Sequence, residues 1–426
     1  MADLKLLGSF PHSVACQRSE QAEPCATRTP CMLPRPLAWL LLCLIGWGTT
    51  PLAARPRLLS PAATVRLVTC APGTEAYALF GHSALRITDP RQGLDHVYNY
   101  GTFDFHTPNF YGRFLRGDLR YFLSATSFAT FCAAYQAEQR PLTEQVLALQ
   151  PAETQRVYDE LEATLASPAR FYRYQFFADN CTTRLYELIT RSVTGSLQLD
   201  STYIPAGQTY RQLLAPYLAP APWVKVGMNL GLGWPADQPT VFRQRLFLPT
   251  ELSQAWAHTS RQHRPFVTRT RSLFAAPILS EQSPGWATPG RVLGSLAILF
   301  ALAASLPARY SLLAAVLGRG VLAVVGLTGC LIAGLQLFSL HTPAHYNYQL
   351  LWLLPTHLLV AVSPVRRWWR PYAAGAIGLL VVGSLLGYGV YYARLLPEIG
   401  WLLGVLFGQL LLLRKQPFGV VQQTGA

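Results

Sequence analysis

Charge is scarce in this chain. Asp, Glu, Lys and Arg make up 13% of its 426 residues against 51% hydrophobic, and a mean hydropathy of +0.22 is too apolar for an ordinary soluble domain of this size. Acid is the scarcer sign, with 21 Asp and Glu facing 35 Lys and Arg, a formal balance of +14. No internal repeat or low-complexity tract stands out, and nothing resembles a nucleic-acid module, so the positive balance has to be explained in another way. His341 and His345 are close enough in sequence to share an ion, but no third ligand lies near them, so no metal is expected. Nothing in the chain asks for a nucleotide or another cofactor.

What is abundant is apolar length, concentrated after Gly290. The runs 292–306, 321–340, 348–362, 373–390 and 396–413 are each near the length that crosses a bilayer, which predicts about five spans, the first and third short. Near the other end, Met32-Leu33-Pro34-Arg35 precedes the apolar run 37–47, and Pro51-Leu52-Ala53-Ala54 offers small residues for cleavage. This predicts a signal peptide or N-terminal anchor over 32–54. Residues 1–31 are polar, carry Cys16, Cys25 and Cys31, and do not resemble an export leader, which makes Met32 the expected start. If residues from Arg55 on are exported, then Arg309 and Arg319, then Arg366, Arg367 and Arg370, then Arg414 and Lys415 fall in cytoplasmic segments, while the two short opposite loops carry only Arg394. The expected organisation is a periplasmic catalytic domain over 55–261, an Arg- and Pro-rich linker over 262–290, a transmembrane bundle over 291–416 and a cytoplasmic tail over 417–426. Such a protein is a multi-pass protein of a bacterial inner membrane.

Two motifs carry chemistry. Asp179-Asn180-Cys181-Thr182-Thr183-Arg184 joins cap-type residues to Leu185, Leu188 and Ile189 at helical spacing, which places Cys181 in the first turn of a helix. A helix N-terminus stabilises thiolate through unpaired N–H groups and the macrodipole, and could lend those groups to an oxyanion. The aromatic run 170–178 before it reads as a strand or a buried extended run. His82 lies in 78–88, which alternates as a strand does; Asp89-Pro90-Arg91-Gln92-Gly93 then turns, and 96–105 can return antiparallel. That return brings Asn99 or Asp104 near His82 to orient its ring, and a one-residue slip in register exchanges the two. Taken singly, each residue also fits a packing role, and Cys70 and Cys132 fit either a disulfide or buried thiols. The loop His341-Thr342-Pro343-Ala344-His345-Tyr346-Asn347 falls on the catalytic side of the bundle, as an interfacial connector or as a site for lipid or substrate. Residues 151–167 predict an amphipathic helix packed on the sheet, and 198–249, rich in Pro, Gly and aromatics, predicts loops and short strands.

The ordered blocks FGHSALRI, VYNYGTFDF, RFYRYQFFADNCTTRLYELI and GMNLGLGWPADQPTVFRQRLFLPTEL, from about Val65 to about His258, resemble the Lnb family of Bacteroidota lipoprotein N-acyltransferases, especially its N-terminal periplasmic domain. HTPAHYNYQLLWLLPTHLL, beginning at His341, is similar to the family's membrane part. The order of histidine strand, polar strand and Asn-Cys at a helix start also looks like permuted papain-like folds of the NlpC/P60 and lecithin:retinol acyltransferase kind. The resemblance implies an α+β, permuted papain-like thiol domain followed by a polytopic helix bundle. It implies Cys181 as nucleophile and His82 as base, and leaves the third member open between Asn99 and Asp104. It further implies a phospholipid acyl donor and a diacylglyceryl-cysteine lipoprotein acceptor. Asn180, Arg184, His341, His345 and Asn347 are then expected to bind substrate. A membrane-anchored cysteine peptidase or amidase acting on cell wall would use the same thiol pair, and an envelope lipid-handling protein would need no catalysis.

Overall fold

The computed structural model describes residues 57–276, 285–305, 311–364, 368–390 and 397–415. The signal or anchor over 32–54, the residues before it, Arg309, Arg366, Arg367, Arg394 and the tail over 417–426 lie outside these. Seven antiparallel strands form one sheet in the order β10-β5-β1-β2-β3-β4-β6. They are β1 (Thr64–Cys70), β2 (His82–Asp89), β3 (Leu94–Thr102), β4 (Arg120–Ser127), β5 (Leu142–Leu147), β6 (Phe171–Arg173) and β10 (Val267–Phe274), while β7 (Gln198–Leu199), β8 (Thr259–Arg261) and β9 (Arg264–Pro265) make a second, small sheet. In chain order the helices of this half are α1 (Phe110–Arg116), α2 (Phe128–Ala137), α3 (Pro151–Leu165), α4 (Cys181–Ser192), α5 (Tyr210–Leu218), α6 (Pro222–Gly231), α7 (Phe242–Arg245) and α8 (Pro249–Ala257).

One face of the main sheet carries the larger core, where Val65, Leu67, Leu85, Ile87, Tyr98 and Leu123 meet Val157 and Leu161 of α3, Leu185, Leu188 and Ile189 of α4, and Trp256 of α8. Those helical residues recur at the three- and four-residue spacing that keeps one stripe inward. The opposite face is smaller and is covered by Phe131 of α2 over Val68, Ala84, Val97 and Leu142. On β5, the strand next to the β10 edge, Glu144, fully buried, takes Arg66, Arg86 and Arg271 at 3.0, 2.8 and 2.7 Å. Arg86 also stacks 3.2 Å over the Phe128 ring.

Arg271 corrects the expected linker over 262–290. Its strand β10 pairs with β5 and forms an edge of the sheet, and its alternating Thr and Arg read as linker only while the buried acid that they answer is out of view. The stretch 198–249 is likewise mostly helix. Thr209 caps α5, and Pro222 and Pro249 occupy first-turn positions, where proline's missing N–H costs nothing. The expected strand over 170–178 shortens to the three residues of β6.

The C-terminal half comprises α9 (Pro289–Ser305), α10 (Ser311–Phe338), α11 (Thr356–Val362), α12 (Trp369–Val390) and α13 (Pro397–Lys415). By length and composition, Leu312–Phe338 with 27 residues and Trp369–Leu386 with 18 can cross a membrane, and α9 and Ile399–Arg414 are shorter apolar helices. Leu312, Val324, Leu327, Leu337 and Phe338 are more than 60% exposed, a surface that water penalises and lipid does not. The third expected span, 348–362, is not one helix. Asn347 caps a 3-10 turn over Tyr348–Leu351, and Pro355 disfavours helix at the residue before it, so only seven residues of α11 follow.

The halves are joined at the C-terminal end of α10. Leu340 N–H donates to Arg116 O (2.7 Å), Gly233 N–H to Pro343 O (2.7 Å) and Trp234 N–H to Tyr346 O (3.2 Å), while Val226 and Leu230 of α6 pack on the bundle core. At the far end of α10, Arg319 lies over the Trp369 ring.

Candidate active site

Cys181 is the first residue of α4, as its flanking sequence predicts. Asn180 is the cap: its side-chain oxygen accepts from Thr182 N–H and Thr183 N–H, both at 2.9 Å, and Thr183 Oγ1 accepts from Asn180 N–H. The Asn180 amide nitrogen donates to Phe176 O and Phe247 O, and the residue is 2% exposed. This corrects two expectations. Asn180 has no face left for a substrate, and the Thr182 and Thr183 N–H groups expected beside the sulfur are already occupied. What approaches the sulfur is Ser83 N–H from β2 and the Thr182 hydroxyl, 3.5 Å away.

His82 opens β2, later than the expected 78–88 strand, because Gly81 takes a left-handed φ of +74°, where a Cβ would fall 2.6 Å from Cys70 O, and ends the alternation there. Leu85 pairs with Tyr98, a register that carries Asn99 to the imidazole. His82 Nε2 and Asn99 Oδ1 are 2.5 Å apart. An amide oxygen only accepts, so Nε2 carries the proton and Nδ1 is left for the thiol. Asp104 is exposed and accepts from His106 N–H, which removes it from the pair. Gly101, φ +95°, lies beside both partners: a Cβ there would stand 3.5 Å from Cys181 Cβ and 3.5 Å from His82 Cε1.

The electrostatics follow from this packing. Burial pushes the Cys181 thiol up, but the His82 charge and hydrogen bond, helped by Thr182 and Ser83 N–H, outweigh it and bring the thiol from 9.0 down to about 7. Burial likewise disfavours the charged imidazole, yet the Cys181 charge and the bonds to Cys181 and Asn99 raise His82 above its ordinary value. The pair therefore supports thiolate and imidazolium together near neutrality. Across the β1–β2 ladder Cys70 pairs with His82, and burial pushes its thiol up to about 12. Cys70, Cys132 and Cys181 are all free thiols. Tyr121 and Tyr174, stacked at 4.1 Å, and Tyr172 belong to the same core as Cys181.

The remaining expected binding residues are engaged within the chain. Arg184 makes a bidentate pair with Asp179 at 2.6 and 2.7 Å and lies 3.6 Å over the Tyr172 ring. His341 Nε2–H donates to Phe114 O at 2.9 Å, His345 Nε2–H to Ser339 O at 2.9 Å, and Asn347 Nδ2–H to Leu230 O at 2.7 Å. The loop lies where domain meets bundle: His341 and Asn347 bond the domain, while His345 bonds Ser339 within the bundle half. Gly101, Thr182 and Ser83 were not singled out from sequence, although Thr182 and Ser83 sit inside the two motifs and Gly101 on the return strand.

Two family models match, the Lnb N-terminal periplasmic domain over 58–216 and the Lnb transmembrane domain over 281–390, in that order and across the halves just described. The chain belongs to the Lnb-like family. It is a membrane protein with a periplasmic domain, and the first model spans His82, Asn99 and Cys181. Neither a curated protein nor a solved structure matches the chain.

Proposed function

We propose that this protein is a thiol acyltransferase that moves an acyl chain from a phospholipid to the N-terminal amine of diacylglyceryl-cysteine lipoproteins. The observation that carries the reading is the Cys181–His82–Asn99 array, with a thiol brought down to about 7, in a domain fastened to membrane helices and belonging to the Lnb-like family. The Cys181 thiolate attacks the ester carbonyl. As the tetrahedral adduct collapses, the lysophospholipid oxygen leaves with the proton of the His82 imidazolium, and a thioester remains on Cys181. The acceptor amine then attacks the thioester, gives its proton to His82 and leaves an amide, releasing the thiolate. Asn99 holds the ring in the tautomer both steps need.

In this reading the sheet and α4 form a permuted papain-like unit, 32–54 directs export, the bundle crosses the inner membrane about five times, and the clasp loop lies at the periplasmic surface. Both substrates are lipids that leave a bilayer only at high cost, which is why the thiol domain is anchored to one. The test is intact-mass analysis of purified protein mixed with phospholipid alone. An acyl adduct on Cys181, released by neutral hydroxylamine and discharged by a diacylglyceryl-cysteine peptide, is expected. Turnover with Cys181 unmodified removes the acyl-enzyme. Altered cell-wall fragments with intact lipoprotein N-acylation in a deletion strain would identify a peptidase or amidase, and no change in either would identify a lipid-handling protein.

A further inference from the structure

Strand β4 pairs with β6 so that Arg120 stands directly opposite Arg173. Like charges directly opposite on one face destabilise a sheet, and this pair lies at its edge with little to offset it. Arg173 has only Asp118, at 3.9 Å with both partners well exposed, and no acidic partner is recorded for Arg120 among the described residues. A third cation adjoins them: Arg170 stacks over Phe171, 4.7 Å from its ring, with its buried Nε unpartnered. Asp118, Arg120, Phe171, Tyr172 and Arg173, with Pro168, line a cleft of about 390 Å³. That volume falls within the roughly 300–1,000 Å³ of small-ligand sites.

The position of this cleft is as informative as its charge. Asp118 and Arg120 follow Arg116 by two and four residues, and Arg116 O is bonded to Leu340, two residues beyond the end of α10. At about 3.3 Å per extended residue, Arg120 lies within ~13 Å of Arg116 and so within ~23 Å of the end of a candidate span, on the side where the domain meets the bundle. Tyr172 connects the cleft to the chemistry: it is one of the lining residues, its hydroxyl is buried without a partner, and it shares a core with Cys181.

We infer that the Arg120–Arg173 cleft binds the phosphate of the phospholipid whose acyl ester Cys181 attacks. This rests on the proposed acyl transfer. Two guanidiniums fixed on adjacent strands can each donate to one phosphate, which relieves their mutual repulsion and aligns the glycerol end toward Tyr172. Asp118 lessens the positive charge without cancelling it.

The test compares full-length protein with its Arg120→Gln/Arg173→Gln double variant in two assays. In the first, Cys181→Ser protein, which cannot turn over, is titrated with dioleoyl phosphatidylglycerol in detergent and lipid retention is read by native mass spectrometry. The added double substitution should weaken retention by about tenfold or more, and inorganic phosphate at millimolar levels should compete only weakly, since it lacks the acyl chains. In the second, Cys181 acylation is followed with the phospholipid and with p-nitrophenyl butyrate, which has no phosphate. The double variant should raise the half-saturating phospholipid concentration about tenfold and leave p-nitrophenyl butyrate within twofold. Unchanged retention overturns the phosphate site, as does full displacement by inorganic phosphate or an equal loss with both esters. If wild type retains lipid in an Arg-dependent way yet never acylates Cys181, the cleft stands and the acyl-transfer reading fails.

Discussion

Replacing His82 with alanine should move the ionisation of Cys181, and the size of that move can be worked from the site. With His82 present the thiol is at about 7; without it, burial is the largest influence left and holds the thiol at or above its ordinary 9.0. At pH 7 the thiolate fraction falls from about one half to ~1% or less, a factor of roughly 50. The more basic thiolate is a better nucleophile, and with a Brønsted slope of about 0.45 two units of pKa return ~8-fold. Alkylation by iodoacetamide should therefore slow about sixfold at pH 7 and about tenfold at pH 6, and the deficit should vanish or reverse well above pH 9. The informative readout is the pH profile of the rate constant, because it does not depend on how easily the reagent enters. Wild type should inflect near 7 and His82→Ala at 9 or higher. If both inflect near 7, the imidazole does not hold the thiolate, and the ion pair is wrong.

Asn99→Ala should lower Cys181 acylation by about 10- to 100-fold with normal protein levels, since the ring loses the partner that fixes its tautomer; an unchanged kcat would remove Asn99 from the array. Gly101→Ala forces an L residue to φ +95° between Cys181 and His82 and should cost about 1–3 kcal/mol, read as a lower Tm. Glu144→Gln, which leaves three arginines around a neutral amide, should cost about 3 kcal/mol in urea unfolding. Glu144 sits below its ordinary 4.5 because its arginines outweigh burial. Its contribution is thus complete above that value and is lost as pH falls through the folded value, so the acid-side loss of stability should shrink in the variant. Gly233→Ala puts a Cβ 1.9 Å from His345 O and should cost about 1–3 kcal/mol while exposing the seam to limited proteolysis.

Local features of the site were legible in the sequence. Asn180 before a helical Leu185-Leu188-Ile189 stripe marks the helix start to the residue, because caps and periodicity are local. His82 and its return strand were legible as a pair, but Asn99 could not be chosen over Asp104, since strand register is fixed by partners far along the chain. Where a reading failed, the decisive partner was distant: Glu144 for the arginine-rich β10, Phe247 O for Asn180, Phe114 O for His341. The break in the third span was written locally, in Asn347 and Pro355, and was masked by its hydropathy.

Beside the His341 and Asn347 side chains, three main-chain bonds fasten the seam between domain and bundle: Leu340 to Arg116, Gly233 to Pro343, Trp234 to Tyr346. Peptide groups are common to every residue, so most side-chain replacements along the seam leave these three bonds intact. Only a change that shifts the backbone itself, a proline, an insertion or an added Cβ at Gly233, can prise it open. A mutational scan of this stretch would therefore look quiet where the protein is least free to move. Apart from His341 and Asn347, side chains along the seam can drift while the domain keeps its place on the bundle.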